Sequence, residues 1–532
     1  METSSPPGIV AAWSFVLLVS CSPDGSKRSG HAADLAAAAH DSQRDEPDLH
    51  FDAEALPLDG GPDLTARADA RPDATRLTDA RVPDGPPTEP DLDVPESPTP
   101  IEEIEAFVEP YVELGWAQSI VVALLDGDVV TYLAFGAPDG QRPLVRATSE
   151  TIYELGSLTK TFTGLLLADA VFRGEMNFDD EVSVHLPPEV SVPRRDGVGI
   201  TLLNLATHHS GLPRDPDNLP MINTYFGGYE VEHLYAFLGN LRLGDVPGTT
   251  YEYSNVGAGL LGHVVTGLSD DAAGYEAVLR DRVLDPLALD QTGVDRVRFV
   301  GLEVAVPADE ARVPVPSMEL SALAGAGALL GSAADLVKLL RFMIHPETSP
   351  LSDVLQAALV DRVVLNAQSA IGLHWFRSRD IHWHNGATYG GRAFLAFSPT
   401  DLKGVAVLAN TTVADIDRLG FSALYALRRQ PYGAPSPIAE VPVDRTALEG
   451  YAGRYIAGLA SRIDVTIADT PAGPRLLVSL DGAAPFWLFG SGGDVFHFRI
   501  FGGTVTFLVD DTGRATGLRV DAQGQSVGFR RP

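Results

Sequence analysis

The sequence predicts an α+β protein: an antiparallel five-stranded sheet flanked by helices, followed by a small antiparallel β-barrel. Three patterns predict it. Residues 119–125 and 129–135 are apolar runs joined by Asp126-Gly127-Asp128, a hairpin signal. Strand-like runs return at residues 371–376, 381–384, 393–398 and 404–410, of which three would join that hairpin in a five-stranded sheet, while residues 413–428 read as a helix covering one face. From residue 450 onward seven short strands follow one another with turn signals every eight to twelve residues, the pattern of a small barrel or sandwich.

The first hundred residues read differently. Residues 9–19 form an apolar run of signal-peptide length, too short to cross a bilayer comfortably, and end in Leu18-Val19-Ser20-Cys21. That ending resembles the lipobox of bacterial lipoproteins, although Met1-Glu2-Thr3 carries no Lys or Arg. The resemblance implies removal of residues 1–20, acylation of Cys21, and a chain lipid-anchored to a bacterial cell envelope, facing the periplasm or the exterior. Cys21 is the single cysteine, so neither an intramolecular disulfide nor a multi-cysteine metal site can form. Residues 22–100 hold 18 Asp/Glu against 7 Lys/Arg, with many Pro and Ala and few aromatics. Such a composition cannot bury enough apolar surface to offset its ordering entropy, so residues 21–100 read as a disordered, self-repelling tether. The formal net charge of −32 argues against nucleic acid as a partner, because phosphates would be repelled.

Folded sequence begins near Ile101, where Ile104, Phe107, Val108 and Tyr111 recur at helical spacing. Residues 161–172 are a mostly apolar helix closed by Arg173-Gly174, and residues 200–207 a second one ending in the turn His208-His209-Ser210-Gly211-Leu212-Pro213. Tyr253-Ser254-Asn255 sits on a Gly/Pro-flanked loop before a small apolar helix, and Ser332 caps a helix from Ala333 to about Ile344. Residues 101–430 thus form one domain, 431–443 a Pro/Ala-rich linker and 444–532 the barrel.

Chemistry concentrates in Ser157-Leu158-Thr159-Lys160. Serine and lysine three apart on a helix share a face, which lets the amine reach the hydroxyl. A serine hydroxyl becomes nucleophilic when a neighbouring base takes its proton, and a desolvated lysine can be that base. The chain has four lysines among 39 basic residues, and arginine cannot be deprotonated, so a lysine at this spacing is suggestive. Alone, the spacing also fits an ordinary capped helix, and Tyr253-Ser254-Asn255 alone also fits a turn. His382 and His384 would share a strand face as metal ligands do, but the sequence places no third ligand, so no metal or cofactor is expected.

Taken together, Ser157-Leu158-Thr159-Lys160, Tyr253-Ser254-Asn255 and His384-Asn385-Gly386 resemble, in order, the S-x-x-K, Y-x-N and K/H-x-G motifs of the penicillin-recognising serine hydrolases. These comprise class C β-lactamases, DD-peptidases and related esterases. Residues 205–213, 247–262 and 285–289 look like framework of the same family, and the resemblance spans roughly residues 101–430. The last ninety residues or so are similar to the lipocalin-like C-terminal domain of some members. The resemblance implies a β-lactamase/transpeptidase-like fold and an acyl-enzyme on Ser157, with Lys160 as proton acceptor and Tyr253 as general acid and base. It implies that Asn255 holds the lysine and the substrate amide, and that the backbone N–H groups of Ser157 and Ala387 form an oxyanion hole beside Gly386. It implies a small-molecule or peptide substrate: a peptidoglycan peptide first, a β-lactam or carboxylic ester otherwise, or capture of such a ligand without turnover. Two departures are visible. His384 stands where class C β-lactamases have lysine, leaving only partial charge near neutrality, and Asn385-Gly386-Ala387 lacks hydroxyls for a substrate carboxylate. Arg392, turned into the cleft, would compensate.

Overall fold

A computed structural model describes residues 98–220, 226–457, 461–522 and 524–532. The expected signal segment, Cys21 and nearly all of the tether lie outside the described residues. The helices are α1 (Pro100–Glu113), α2 (Thr159–Phe172), α3 (Leu202–Ala206), α4 (Val231–Asn240), α5 (Asn255–Val265), α6 (Ala272–Leu279), α7 (Ala324–Gly327), α8 (Ala333–Ile344), α9 (Ser352–Leu359), α10 (Asp415–Leu427) and α11 (Arg445–Tyr451). Among the described residues, no helix is long and apolar enough to cross a membrane.

The main sheet is built from β1 (Ser119–Asp126), β2 (Val129–Gly136), β5 (Val363–Val364), β6 (Ser369–Ile371), β7 (Phe376–Ser378), β8 (Ile381–Ala387), β9 (Arg392–Ser398) and β10 (Lys403–Ala409). Its order is β2-β1-β10-β9-β8-β7-β6-β5, every pair antiparallel. The two short strands β3 (Ile152–Glu154) and β4 (Leu330–Ser332) pair separately. Helices cover both faces of the main sheet, which is why β1 reads as a continuous apolar run rather than an alternating one. Val121, Ala123 and Leu125 enter the core shared with α2 and α8, while Ile120, Val122 and Leu124 enter the core shared with α1 and α10. A capping box starts α1: Thr99 Oγ1 accepts the Glu102 N–H at 3.2 Å and the Glu102 carboxylate accepts the Thr99 N–H at 2.8 Å. Ile104, Phe107, Val108 and Tyr111 are its buried stripe, and the Tyr111 hydroxyl donates to Asp415 at the start of α10.

Eight strands replace the five expected, because β5–β7 extend the edge beyond β8. Residues 371–376 are not one strand. Ile371 ends β6 and Phe376 begins β7. Between them, the N–H groups of Leu373 and His374 donate to the carbonyls of Ala358 and Ala206, so the chain leaves the ladder for the helical layer and buries Leu373 and Trp375 there.

The C-terminal unit is a closed barrel of β11 (Gly453–Ala457), β12 (Ser461–Thr470), β13 (Gly473–Leu480), β14 (Phe486–Gly492), β15 (Val495–His497), β16 (Thr504–Val509), β17 (Ala515–Ala522) and β18 (Gln525–Arg530). It has eight strands where seven were expected. The missed one, β11, follows α11 almost directly and buries only Tyr455, so it has little apolar alternation to read. Pairing of Ile456 with Arg530 closes the ring. Alternate side chains such as Tyr455, Val465, Val478, Leu488, Phe496, Phe507, Leu518 and Phe529 fill the interior, as an eight-stranded barrel permits. The barrel docks on the first domain. Trp487 Nε1 donates to Asp309 at 2.6 Å, and Arg499 Nη1 donates to the Gly115 carbonyl at 2.6 Å while its guanidinium lies 5.3 Å from the Trp116 ring.

Candidate active site

Ser157 occupies a one-turn 3-10 helix, Gly156–Leu158, that runs straight into α2. Thr159 stitches this junction: its hydroxyl donates to the Gly156 carbonyl at 2.7 Å and accepts the Leu329 N–H at 3.1 Å. Lys160 follows one residue later, fully buried, with Nζ 3.0 Å from Ser157 Oγ. The same nitrogen lies 2.8 Å from Asn255 Oδ1 and 2.7 Å from the Ala326 carbonyl on α7. Both of those groups only accept. A neutral amine can give each of them one N–H and still point its lone pair at the Ser157 O–H, the arrangement a proton acceptor requires.

Tyr253 and Asn255 reach the same point from the start of α5. Ser254 is the N-cap, its hydroxyl accepting the Gly257 N–H at 2.8 Å, so Tyr253 is held just outside the helix and Asn255 just inside it. The Tyr253 ring is nearly buried, with Lys160 Nζ 4.9 Å and Arg214 Cζ 5.2 Å from its centroid. Asn255 Nδ2 donates to Asp215 at 2.7 Å, which fixes the amide so that Oδ1 faces Lys160. Arg214 and Asp215 went unread in the sequence, as did the Ala326 carbonyl. The only signal for the first two was their place directly after the Gly211-Leu212-Pro213 turn.

Strand β8 forms the opposite wall. A Cβ on Gly386 would stand 1.9 Å from the Leu155 carbonyl oxygen, and one on Gly156, whose φ is +50°, would stand 2.8 Å from the Ala387 nitrogen. Glycine at both positions therefore lets the strand lie against the Ser157 turn and brings the Ala387 backbone beside it. This is where an oxyanion held by the N–H groups of Ser157 and Ala387 would sit.

Two predicted side chains, His384 and Arg392, stand differently from the expectation. His384 is fully buried. Its Nδ1 lies 2.6 Å from the Asn385 carbonyl, which puts the proton on that nitrogen, and burial followed by the charge of Lys160 depresses its pKa to about 3. It is a neutral imidazole, not a partly charged one. Arg392 does not turn into the cleft: it is 2% exposed and its Nε and Nη2 donate to the Thr412 carbonyl at 3.1 and 2.5 Å. Asn385 points away as well, donating to Asp417 on α10 at 2.5 Å. His208, read from the sequence as part of the turn after α3, is fully buried there with its ring stacked on Tyr253 at 4.4 Å, so the turn packs against the site. His382, the other half of the weighed metal pair, stacks on Phe397 at 5.5 Å.

Comparison with known proteins gives the same picture at family level. Residues 104–425 match the profile of the family described as Beta-lactamase. Protein flp of Staphylococcus aureus is 25% identical over 335 residues, covering 60% of this chain and 64% of its own length. The D-alanyl-D-alanine-carboxypeptidase/endopeptidase AmpH of Escherichia coli is 28% identical over 178 residues, covering 33% of this chain and 45% of its own length. The chain thus spans just under two thirds of the length of the first of these relatives and less than half of the second.

Proposed function

Since this chain belongs to the Beta-lactamase family, we propose that it is a serine hydrolase acting through an acyl-enzyme on Ser157. The observation that carries this is the set of three contacts on Lys160 Nζ: two committed acceptors and the Ser157 hydroxyl. Lys160 takes the hydroxyl proton as Oγ attacks a carbonyl, the oxyanion rests against the Ser157 and Ala387 N–H groups, and Tyr253 protonates the leaving group. Water then attacks the acyl-enzyme with Tyr253 as base, which returns Ser157 and frees the acid. A binder that is never acylated would have no use for so specific a cradle around an amine.

For the substrate we propose a peptide ending in D-alanine, or a related peptidoglycan fragment, on the strength of the AmpH relative. A neutral His384 and an inward Arg392 withhold the positive charge that a substrate carboxylate would seek, which favours carboxylic esters as the second reading. The lipobox-like ending at Cys21 supports a lipid-anchored protein of the bacterial envelope. Loss of palmitate labelling in Cys21→Ala checks that anchor.

Fluorescent penicillin labelling with Ser157→Ala as control tests the enzyme reading. A covalent label absent from the variant is expected; no label together with no turnover of any ester or peptide would sink it. Rates of D-alanine release, chromogenic cephalosporin opening and p-nitrophenyl ester hydrolysis then choose among the substrate classes, and a stable label without turnover identifies a binder.

A further inference from the structure

We propose that His208 is a positioning residue that holds Tyr253 in its working orientation, an inference that rests on the acid–base role given to Tyr253 above. His208 grips the tyrosine from three sides. Its backbone carbonyl accepts the Glu252 N–H at 2.8 Å, its ring Nδ1 accepts the Ser254 N–H at 3.1 Å, and its ring face stacks on the Tyr253 ring at 4.4 Å and 29°. The residues on both sides of Tyr253 and the phenol ring between them are thus all referred to one residue, Glu252 to its backbone and the other two to its ring. The histidine adopts φ +60°, a conformation few residues other than glycine take without cost. Here the turn after α3 and the three contacts on the 252–254 loop impose it.

The tautomer follows from the same contacts. A backbone N–H can only donate, so Nδ1 of His208 is bare and its proton sits on Nε2. From there it faces Nδ1 of His374 at 3.3 Å, which is bare in turn. His374 is also fully buried at φ +60°, its backbone N–H tied to the Ala206 carbonyl. The groups facing this pair are Tyr251, Tyr253, Lys160, His209 and His384, and burial keeps His208 and His374 neutral. A proton added to Nδ1 of His208 would point at the Ser254 N–H and undo the grip. A neutral ring is therefore part of the device.

The test separates an effect through Tyr253 from a general structural one. Two substrates of the same acyl group are compared, a peptide amide whose leaving group needs a proton and a p-nitrophenyl ester whose leaving group does not. His208→Ala is expected to lower the acylation rate, read in single turnovers before the common deacylation step, about 10- to 100-fold on the amide and by less than about threefold on the aryl ester. His208→Asn, whose Oδ1 can accept from Ser254 and which tolerates a positive φ, is expected to restore most of the loss. In a Tyr253→Phe background His208→Ala should add nothing. Equal losses on both substrates, or losses that multiply with Tyr253→Phe, overturn the inference. If Tyr253→Phe alone leaves the amide rate unchanged, the acid–base reading fails on its own arm and takes the inference with it. Should His208→Ala not fold, His208→Gln, which moves the acceptor one carbon outward, is compared with His208→Asn by the same criteria.

Discussion

An arginine at position 160 would place a permanent cation beside Asn255 Oδ1 and the Ala326 carbonyl and could not accept the proton of Ser157. Lys160→Arg is therefore expected to lower the acylation rate by about 10²–10⁴-fold, read as the rate of penicillin labelling at an unchanged melting temperature. Asp215→Ala releases the Asn255 amide to rotate, and a loss of about tenfold in kcat/KM is expected, the worth of one displaced hydrogen bond to a charged group. Buried titrating groups set opposite limbs of the stability profile. His384, depressed from 6.5 to about 3, contributes stability that is complete above pH 6.5 and is lost as pH falls toward 3. Asp417 is raised from 3.8 to about 6 by burial, so its contribution is complete below pH 3.8 and lost as pH rises through 6. Asp417→Asn should accordingly stabilise the fold by on the order of 1–3 kcal/mol at pH 8 and by little at pH 4, a difference that melting curves at the two pH values resolve. Ser157, Lys160, Tyr253 and Asn255 were legible because each sits in a short motif with fixed spacing. Asp215, Ala326 and His208 were not, since their parts depend on contacts between segments distant in sequence, and a backbone carbonyl such as that of Ala326 leaves no mark in a residue alphabet.

At the scale of elements, the strand that faces the nucleophile depends on the absence of one side chain. Gly386→Ala would drive a Cβ to 1.9 Å from the Leu155 oxygen, so β8 has to retreat from the Ser157 turn. The expected outcome is a loss of about 10²–10³-fold in kcat, with a destabilisation of about 1–3 kcal/mol from overpacking, measured by steady-state kinetics and thermal melts. The elements themselves were readable to different depths. The β1–β2 hairpin, the stripe of α1 and the helix capped by Ser332 announce themselves through a turn, a period and a cap. Residues 371–376 misled because an apolar run looks alike whether it buries its side chains in a ladder or in a helical layer, and the hydrogen bonds that decide between them come from Ala358 and Ala206. Strands β5, β6 and β7, being two or three residues long at the edge of the sheet, carry too few positions for a period to show.

For the molecule as a whole, the barrel is a docked unit rather than a pendant one. Arg499 is nearly buried, its pKa is lowered to about 10 by burial, and it donates to carbonyls of Gly115 and Glu310. Arg499→Met should loosen that seam: protease cleavage between residues 431 and 443 is expected to become faster while penicillin labelling of Ser157 persists, as gel analysis would show. The order of the main sheet has a further consequence, for the moment at which the protein becomes reactive. Strand β1 is flanked on both sides only when β10 arrives, and the Ser157 turn is walled only when β8 does. A chain leaving the ribosome carries its nucleophile long before it carries the wall that would hold an oxyanion. Pairings so remote in sequence also close slowly. If Ser157 is the nucleophile proposed above, synthesis order acts as a safety catch: until the last strands of the sheet are in place, an attack by Ser157 has no wall to hold its oxyanion.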